Sequence, residues 1–519
     1  MKKIILLLAF ILALNCSSTK TSIQLANPTD YANTITSEEL KEMLYTFASD
    51  DFQGRETGEA GQKKAVEYLK KHYQQLDIKS PLGKNNYFQK VDLIKSYSPK
   101  ITMVVNGRTL AQYTDFIPLG SASSQTINTQ DIVFAGYGID SKKYSDYKNI
   151  DVNGKVVLVK QGEPKNSDGT YITTGTKENT KWSSGRSAIS AKRMAAKEHG
   201  AKAIIFINDN DFSRVANFYK RRASKGGMTR FALNNNEDEI IQLMVGNKTA
   251  KLLFDAIETS STPTIVNTQL SLTVKSNTEA VDSENVIAYI EGSEFPDEVI
   301  IISAHLDHEG VKDGKIYNGA DDDGSGSMAI LEIAEAFQTA VNDGYTPKRS
   351  IAFLHVTAEE KGLLGSKYYT DYAPIFPLEN TVANLNIDMI GRVDDKHLND
   401  RNYLYLIGSD KLSTELHELS EAVNEKYTKI NLDYTYNDDN DPNRFYYRSD
   451  HYNFAKHNIP VIFYFNGTHD DYHKPSDTPD KIEYDLLAKR AQLVFYTAWE
   501  IANRDKRIAL TNQNDISKP

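Results

Sequence analysis

Cysteine is nearly absent from this chain. Cys16 is the only one in 519 residues, so no disulfide can form within a molecule, and the fold must rest on its apolar core and on any metal it binds. Positive charge is also short. Lys and Arg number 60 against 70 Asp and Glu, a formal net charge of −10, and an acidic balance argues against a nucleic-acid partner, since phosphate binding needs a basic face. Long apolar runs are missing as well, and beyond the N-terminal stretch none could cross a bilayer. There is no internal repeat and no low-complexity tract. What remains is 40% hydrophobic and 25% charged, the balance of a soluble globular protein too long for one ordinary core.

Met-Lys-Lys, the apolar segment from Ile4 to Leu14 and then Cys16 have the layout of an export signal. The position of Cys16 resembles that of a bacterial lipoprotein signal, in which the cysteine is lipidated and becomes the mature N-terminus. Asn15 departs from the small residue usual before such a cysteine. The resemblance implies a signal over residues 1–16, a polar tether over 17–32, and a protein lipid-anchored in a bacterial cell envelope, at the outer membrane or periplasmic face. The lipid is the only membrane contact expected, and the sequence carries no signal for an oligomeric state.

Thr36-Ser37-Glu38-Glu39 has the form of a capping box and opens a helix through about Phe47. A second amphipathic helix follows, with Ala65, Leu69 and Tyr73 at helical spacing. From about residue 101 to 275 the texture is that of a compact, β-rich α/β unit, with runs such as GKVVLVKQG and AKAIIFIND and a helix in SAISAKRMAAKEHG. After Asn285, strands alternate with helices in the manner of a βαβ sheet. Expected strands are 285–290, 299–304, 350–357, 382–387, 403–407 and 459–465; expected helices are 327–340 and 484–503.

Four apolar runs in this last part each end in a carboxylate or a histidine: EVIIISAHLDH, SIAFLHVTAEE, NTVANLNIDMI and NIPVIFYFNGTHDDYH. Buried parallel strands read as unbroken apolar runs, and an open sheet carries its functional residues just past the carboxyl ends of such strands. His305, Glu359, Glu360, Asp388 and His473 therefore converge on one sheet edge. With Asp322 from the loop NGADDDGSG, they supply the mixed oxygen and imidazole donors that a pair of divalent cations, zinc above all, would need.

The series SAHLDH, NGADDDGSG, TAEEKGLLGS, NIDMIGR and DYHKPSDT, in that order, resembles the co-catalytic zinc exopeptidases that include bacterial leucyl aminopeptidase and glutamate carboxypeptidase. FAGYGI, the strand in YKNIDVNGKVVLV and the helix before GAKAIIFIND resemble a protease-associated domain, which commonly shades an active-site cleft. The implied fold is a mixed, mostly parallel α/β sheet sandwiched by helices, built from residues 33–100 and 276–508, with the protease-associated domain inserted as 101–275. The resemblance implies two Zn2+ per chain, His305 and Asp388 on one, Glu360 and His473 on the other, and Asp322 bridging through a loop whose Asp322–Asp323 bond is cis. Asp321 and Asp323 are the local competitors for the bridge, and His469 competes with His473. Glu359 would be the general base toward a bridging water, and Tyr472 would steady the tetrahedral oxyanion.

Asp307, two residues after His305, is expected to accept the second imidazole N–H of that ligand, and Asp477 to do the same for His473 or to lie exposed. His308 and His451 are assigned to the surface or to a supporting shell, and His355 to a hydrogen-bonded core position. The activity implied is that of an extracytoplasmic metallopeptidase removing N-terminal residues from peptides. Carboxypeptidase action, for which Arg392, Arg444 and Arg448 are candidate basic residues, glutaminyl cyclisation with one zinc, and a non-catalytic binding protein on the same fold are the alternatives.

Overall fold

The computed structural model describes residues 26–224, 229–234 and 240–511. The export signal, Cys16 and most of the tether lie outside the described residues. Among the described residues no helix is long and apolar enough to cross a membrane.

Two large sheets organise the chain. The first has nine strands, and at its centre Phe295–His305 lies between the parallel neighbours Arg349–Val356 and Thr381–Ile387, with Val461–Phe465 parallel beyond. These strands are buried on both faces, which is why their sequences run apolar without a break. Alternation assigns the faces. Ile300, Ile302 and Ala304 enter one core with the helices Ser37–Phe47, Ala60–Gln75, Gly326–Asn342 and Tyr484–Asn503, whereas Val299 and Ile301 enter a second core with Tyr369 and Phe454. Helices thus cover both sides. Phe337 and Trp499 stack at 5.8 Å where two of them meet.

The second sheet has eight strands and draws them from Lys100–Val105 through Thr264–Lys275. One strand of that span does not belong to it. Thr229–Leu233 pairs antiparallel with Phe88–Tyr97 and forms the outer edge of the nine-stranded sheet, so the boundaries at 101 and 275 are crossed. Phe88–Tyr97 would otherwise present a row of unpaired backbone groups, and Leu233 buries against Val91 and Leu93.

Thr36 caps its helix, its hydroxyl accepting the Glu39 N–H at 3.2 Å. The return arm of the box is replaced. Glu39 takes the Thr36 hydroxyl at 2.8 Å, and the Thr36 N–H donates instead to Glu332 of Gly326–Asn342 at 3.1 Å. His355 is buried, with Nε2 2.7 Å from the Tyr73 hydroxyl.

Candidate metal centre

Apart from Asp322, which lies in the turn Ala320–Ser325 ahead of Gly326–Asn342, the side chains of the centre follow the ends of parallel strands. His305 is the last residue of Phe295–His305, Glu359 and Glu360 follow Arg349–Val356, and Asp388 follows Thr381–Ile387. His473 comes from the loop after Val461–Phe465. Ala358, Met389 and His473 have left-handed backbone, with φ of 56°, 62° and 53°. Such conformations cost non-glycine residues energy and persist where the surroundings hold them, as they do beside this site.

Asp322 is the hub. Its Oδ1 lies 3.1 Å from His305 Nε2 and its Oδ2 3.0 Å from His473 Nε2, so two imidazoles from distant segments meet one carboxylate. His305 Nε2 is also 3.6 Å from Asp388 Oδ1, and His473 Nε2 is 3.3 Å from Glu360 Oε2. Despite burial, which opposes ionisation, His308, His305 and His473 hold the Asp322 carboxyl well below the usual carboxylate range. The peptide bond from Asp322 to Asp323 is cis.

The neighbouring acids are spent on backbone. Asp323 accepts the N–H groups of His305, Met389 and Gly326, and Asp321 accepts that of Gly391 at 2.7 Å. His469 is drawn away to Asp321, 3.1 Å distant. Asp388 keeps Oδ1 toward His305 while Oδ2 accepts the Ser449 hydroxyl at 2.6 Å, an outer partner of the kind that orients metal ligands.

Two supporting roles differ from expectation. His305 Nδ1 lies 3.0 Å from the backbone carbonyl of Asp307, not from its carboxylate. The Asp307 carboxylate turns instead to the Thr57 hydroxyl at 2.7 Å and the Glu359 N–H at 3.1 Å. Asp477 is fully buried and accepts the N–H groups of Asp321 and Asp322 at 3.0 and 3.2 Å. A four-residue spacing places side chains together only on a helix, and His473 is not helical.

The donor set fits divalent cations. His305, Asp322 and Asp388 offer one group of converging ligand atoms, and His308, Asp322 and Glu360 another. His305 Nε2, Asp322 Oδ2 and Glu360 Oε1 are buried without hydrogen-bond partners, a costly state for polar atoms unless something positive binds them. Imidazole and carboxylate donors together suit zinc.

Glu359 faces the cleft beside Asp322 and Asp388. Burial raises its carboxyl well above the usual range, with Glu360 and Asp388 adding to the effect and His305 opposing it. The cleft wall is apolar at Met389, Phe445, Phe463 and Phe465, with Arg448, Thr468 and Tyr472 as its polar groups beside the ligands and Glu359. The Tyr472 ring stacks on His473 at 4.0 Å, and its hydroxyl is 3.3 Å from Arg448 Nη2. No residue of the span 101–275 is among those lining this cleft. That span reaches the rim at Phe231, whose ring lies 5.7 Å from Lys361 Nζ, next to Glu360.

Residues 285–498, which carry the five candidate metal ligands together with Glu359 and Tyr472, match the model of Peptidase family M28. The chain carries an M28 peptidase domain. Residues 125–253 match the PA domain. Aminopeptidase YwaD of Bacillus subtilis is 24% identical over 327 residues, covering 61% of this chain and 66% of its own. Probable leucine aminopeptidase 2 of Aspergillus oryzae is 29% identical over 325 residues, covering 62% and 53%. The chain thus spans less than two-thirds of these curated relatives. An aminopeptidase from Aneurinibacillus sp. strain AM-1 superposes with a TM-score of 0.51 at 18% identity, over 94% of this chain and 98% of that one, and so shares the fold.

Within the M28 domain and its N-terminal helices, two participants escaped the sequence reading, and a third was placed only loosely. Arg55 is fully buried and donates to the carbonyls of Leu306, Phe47, Asn318 and Gly319 at 2.7 to 3.2 Å, tying the His305 strand end to the Asp322 loop. Burial lowers its guanidinium to about 10, with Asp322 and Asp323 opposing the fall, so it stays charged near neutral pH. Thr57 holds Asp307. Of the two places expected for His308, the surface or a supporting shell, the structure takes the second, with the ring buried against Glu360. The second histidine of SAHLDH was the available signal.

Proposed function

We propose that this chain is a zinc aminopeptidase whose two metal ions share Asp322, with His305 and Asp388 on one side and Glu360 and His473 on the other. The observation that carries the reading is the Asp322 carboxylate, one oxygen toward each imidazole. Two zinc ions bound there would supply Lewis acidity toward a scissile carbonyl and a water that ionises near neutral pH.

The protein's own groups do the rest. Glu359, held at the cleft by the Asp307 contact with its N–H, takes the proton from the attacking water and passes it to the leaving amine. Burial keeps the Tyr472 phenol protonated, its pKa raised, so its O–H can donate to the tetrahedral oxyanion. Met389, Phe445, Phe463 and Phe465 exclude water and accept an apolar side chain. The amino-terminal preference draws on the names of the relatives, both aminopeptidases. One observation favours action at a carboxyl terminus instead, the Arg448 guanidinium in the cleft.

A panel of free, N-blocked and C-blocked short peptides, with elemental analysis of the same preparation, tests both readings. Cleavage of free and C-blocked peptides with two zincs per chain is the expected result. Equal cleavage of N-blocked peptides would overturn the aminopeptidase reading, and loss of the C-blocked ones would favour the carboxypeptidase. We also propose that Cys16 carries lipid and anchors the chain in the cell envelope, on the strength of the signal layout that precedes it. Unchanged membrane partitioning of the Cys16→Ser chain would refute that anchor.

A further inference from the structure

One imidazole beside the centre has no part in the five-ligand arrangement. His308 is fully buried, its Nε2 has no hydrogen-bond partner, and its Nδ1 faces only the carboxylates of Glu360 and Asp322. An imidazole stripped of water with a nitrogen left unpaired is costly. Its Nδ1 is 2.8 Å from Glu360 Oε1 and 3.8 Å from Asp322 Oδ2. On the other flank of the same two carboxylates, His473 Nε2 is 3.3 Å from Glu360 Oε2 and 3.0 Å from Asp322 Oδ2. Four donors bound tetrahedrally to zinc are separated from one another by about 3.3 Å. The observed separations fall on both sides of that value.

The chain is built to hold this ring there. A Cβ on Gly319 would stand 2.5 Å from His308 Cγ, and Gly319 has a φ of 57°, so glycine alone fits both the space and the backbone. The Gly319 carbonyl is held in turn by Arg55 at 2.8 Å, and the His308 N–H donates to the Arg55 carbonyl at 3.3 Å. Ring and loop are therefore fixed by one buried cation.

We propose that His308 Nδ1 is a fourth protein ligand of the metal at Glu360 and His473, which makes the centre asymmetric. One metal is held by His305, Asp388 and Asp322 and keeps an open position. The other has two imidazoles and two carboxylates and is nearly closed, so it is the more tightly held of the pair. This rests on the two-zinc reading of the site.

The test loads the full chain with a spin-active cadmium isotope and records scalar coupling to isotope-labelled imidazole nitrogens. Coupling from metal to His305, His473 and His308 is expected. In parallel, chelator competition on the zinc-loaded His308→Ala chain should show one of two zincs bound at least about 100-fold more weakly, with the other unchanged. Coupling at His305 and His473 without His308 would overturn this inference and leave the two-metal reading standing. Failure of the unmutated chain to take up two metals would overturn both.

Discussion

The Asp307 carboxylate accepts the backbone N–H of Glu359 at 3.1 Å, joining the end of one parallel strand to the turn that leaves the next. Its other oxygen is held by Thr57, so the carboxylate is fixed from both sides. Asp307→Ala is expected to lower kcat about 100-fold, the scale of a small misplacement of a reacting group, with zinc content unchanged. Asp307→Asn keeps an oxygen for the Glu359 N–H and should recover most of the rate. Elemental analysis beside the kinetics checks the assignment, because loss of zinc in Asp307→Ala would mean that Asp307 acts on the ligands.

Glu359→Gln retains the shape of the side chain and removes its capacity to take a proton. Turnover should fall by about a hundredfold to ten-thousandfold while both zincs remain. Near-normal kcat would remove Glu359 as the base.

Arg55 satisfies four carbonyls with a planar fork that lysine cannot reproduce. Arg55→Lys is therefore expected to cost about 3 kcal/mol of stability, read from denaturant unfolding of the metal-free chain. An unchanged midpoint would show that the loop does not depend on it.

Glu332 has a buried carboxyl raised from 4.5 to about 8, chiefly by desolvation and further by Glu39 and Glu335, against the Thr36 N–H. The folded chain then holds one more proton than the unfolded chain between those two values. Stability contributed by the neutral acid is complete below the lower value and is lost as pH rises through the upper one. Glu332→Gln, which can still accept from Thr36, should flatten that fall, gaining up to about 5 kcal/mol on the alkaline side and nothing on the acid side. Parallel unfolding curves on both sides of the window check this, and equal pH slopes for the two chains would rule it out.

How much of this was legible in the sequence depends on the type of contact. His305 and Asp388 are readable because each stands where a run of buried strand residues stops, and the strand's burial on both faces writes itself as unbroken apolarity. Glu359 and Glu360 are readable as a pair in the same way. Their division of labour comes from a left-handed turn at Ala358, which no spacing encodes. Arg55 could not have been found, since its partners Leu306, Asn318 and Gly319 lie some 250 residues away and are backbone atoms that any residue would offer. His308 was visible as a letter but not as a buried group. Asp307 and Asp477 were legible as acids near the ligands, whereas the direction each carboxylate takes depends on which N–H groups the fold brings close.

The return of Thr229–Leu233 to the rim of the larger sheet means that the PA-bearing span is stitched into its host. Excising it as a cassette would unpick the hem of the sheet beside Phe88–Tyr97, close to the turn that presents Glu360. Engineers seeking a minimal peptidase from this chain would have to leave that thread in place or sew in a substitute for it.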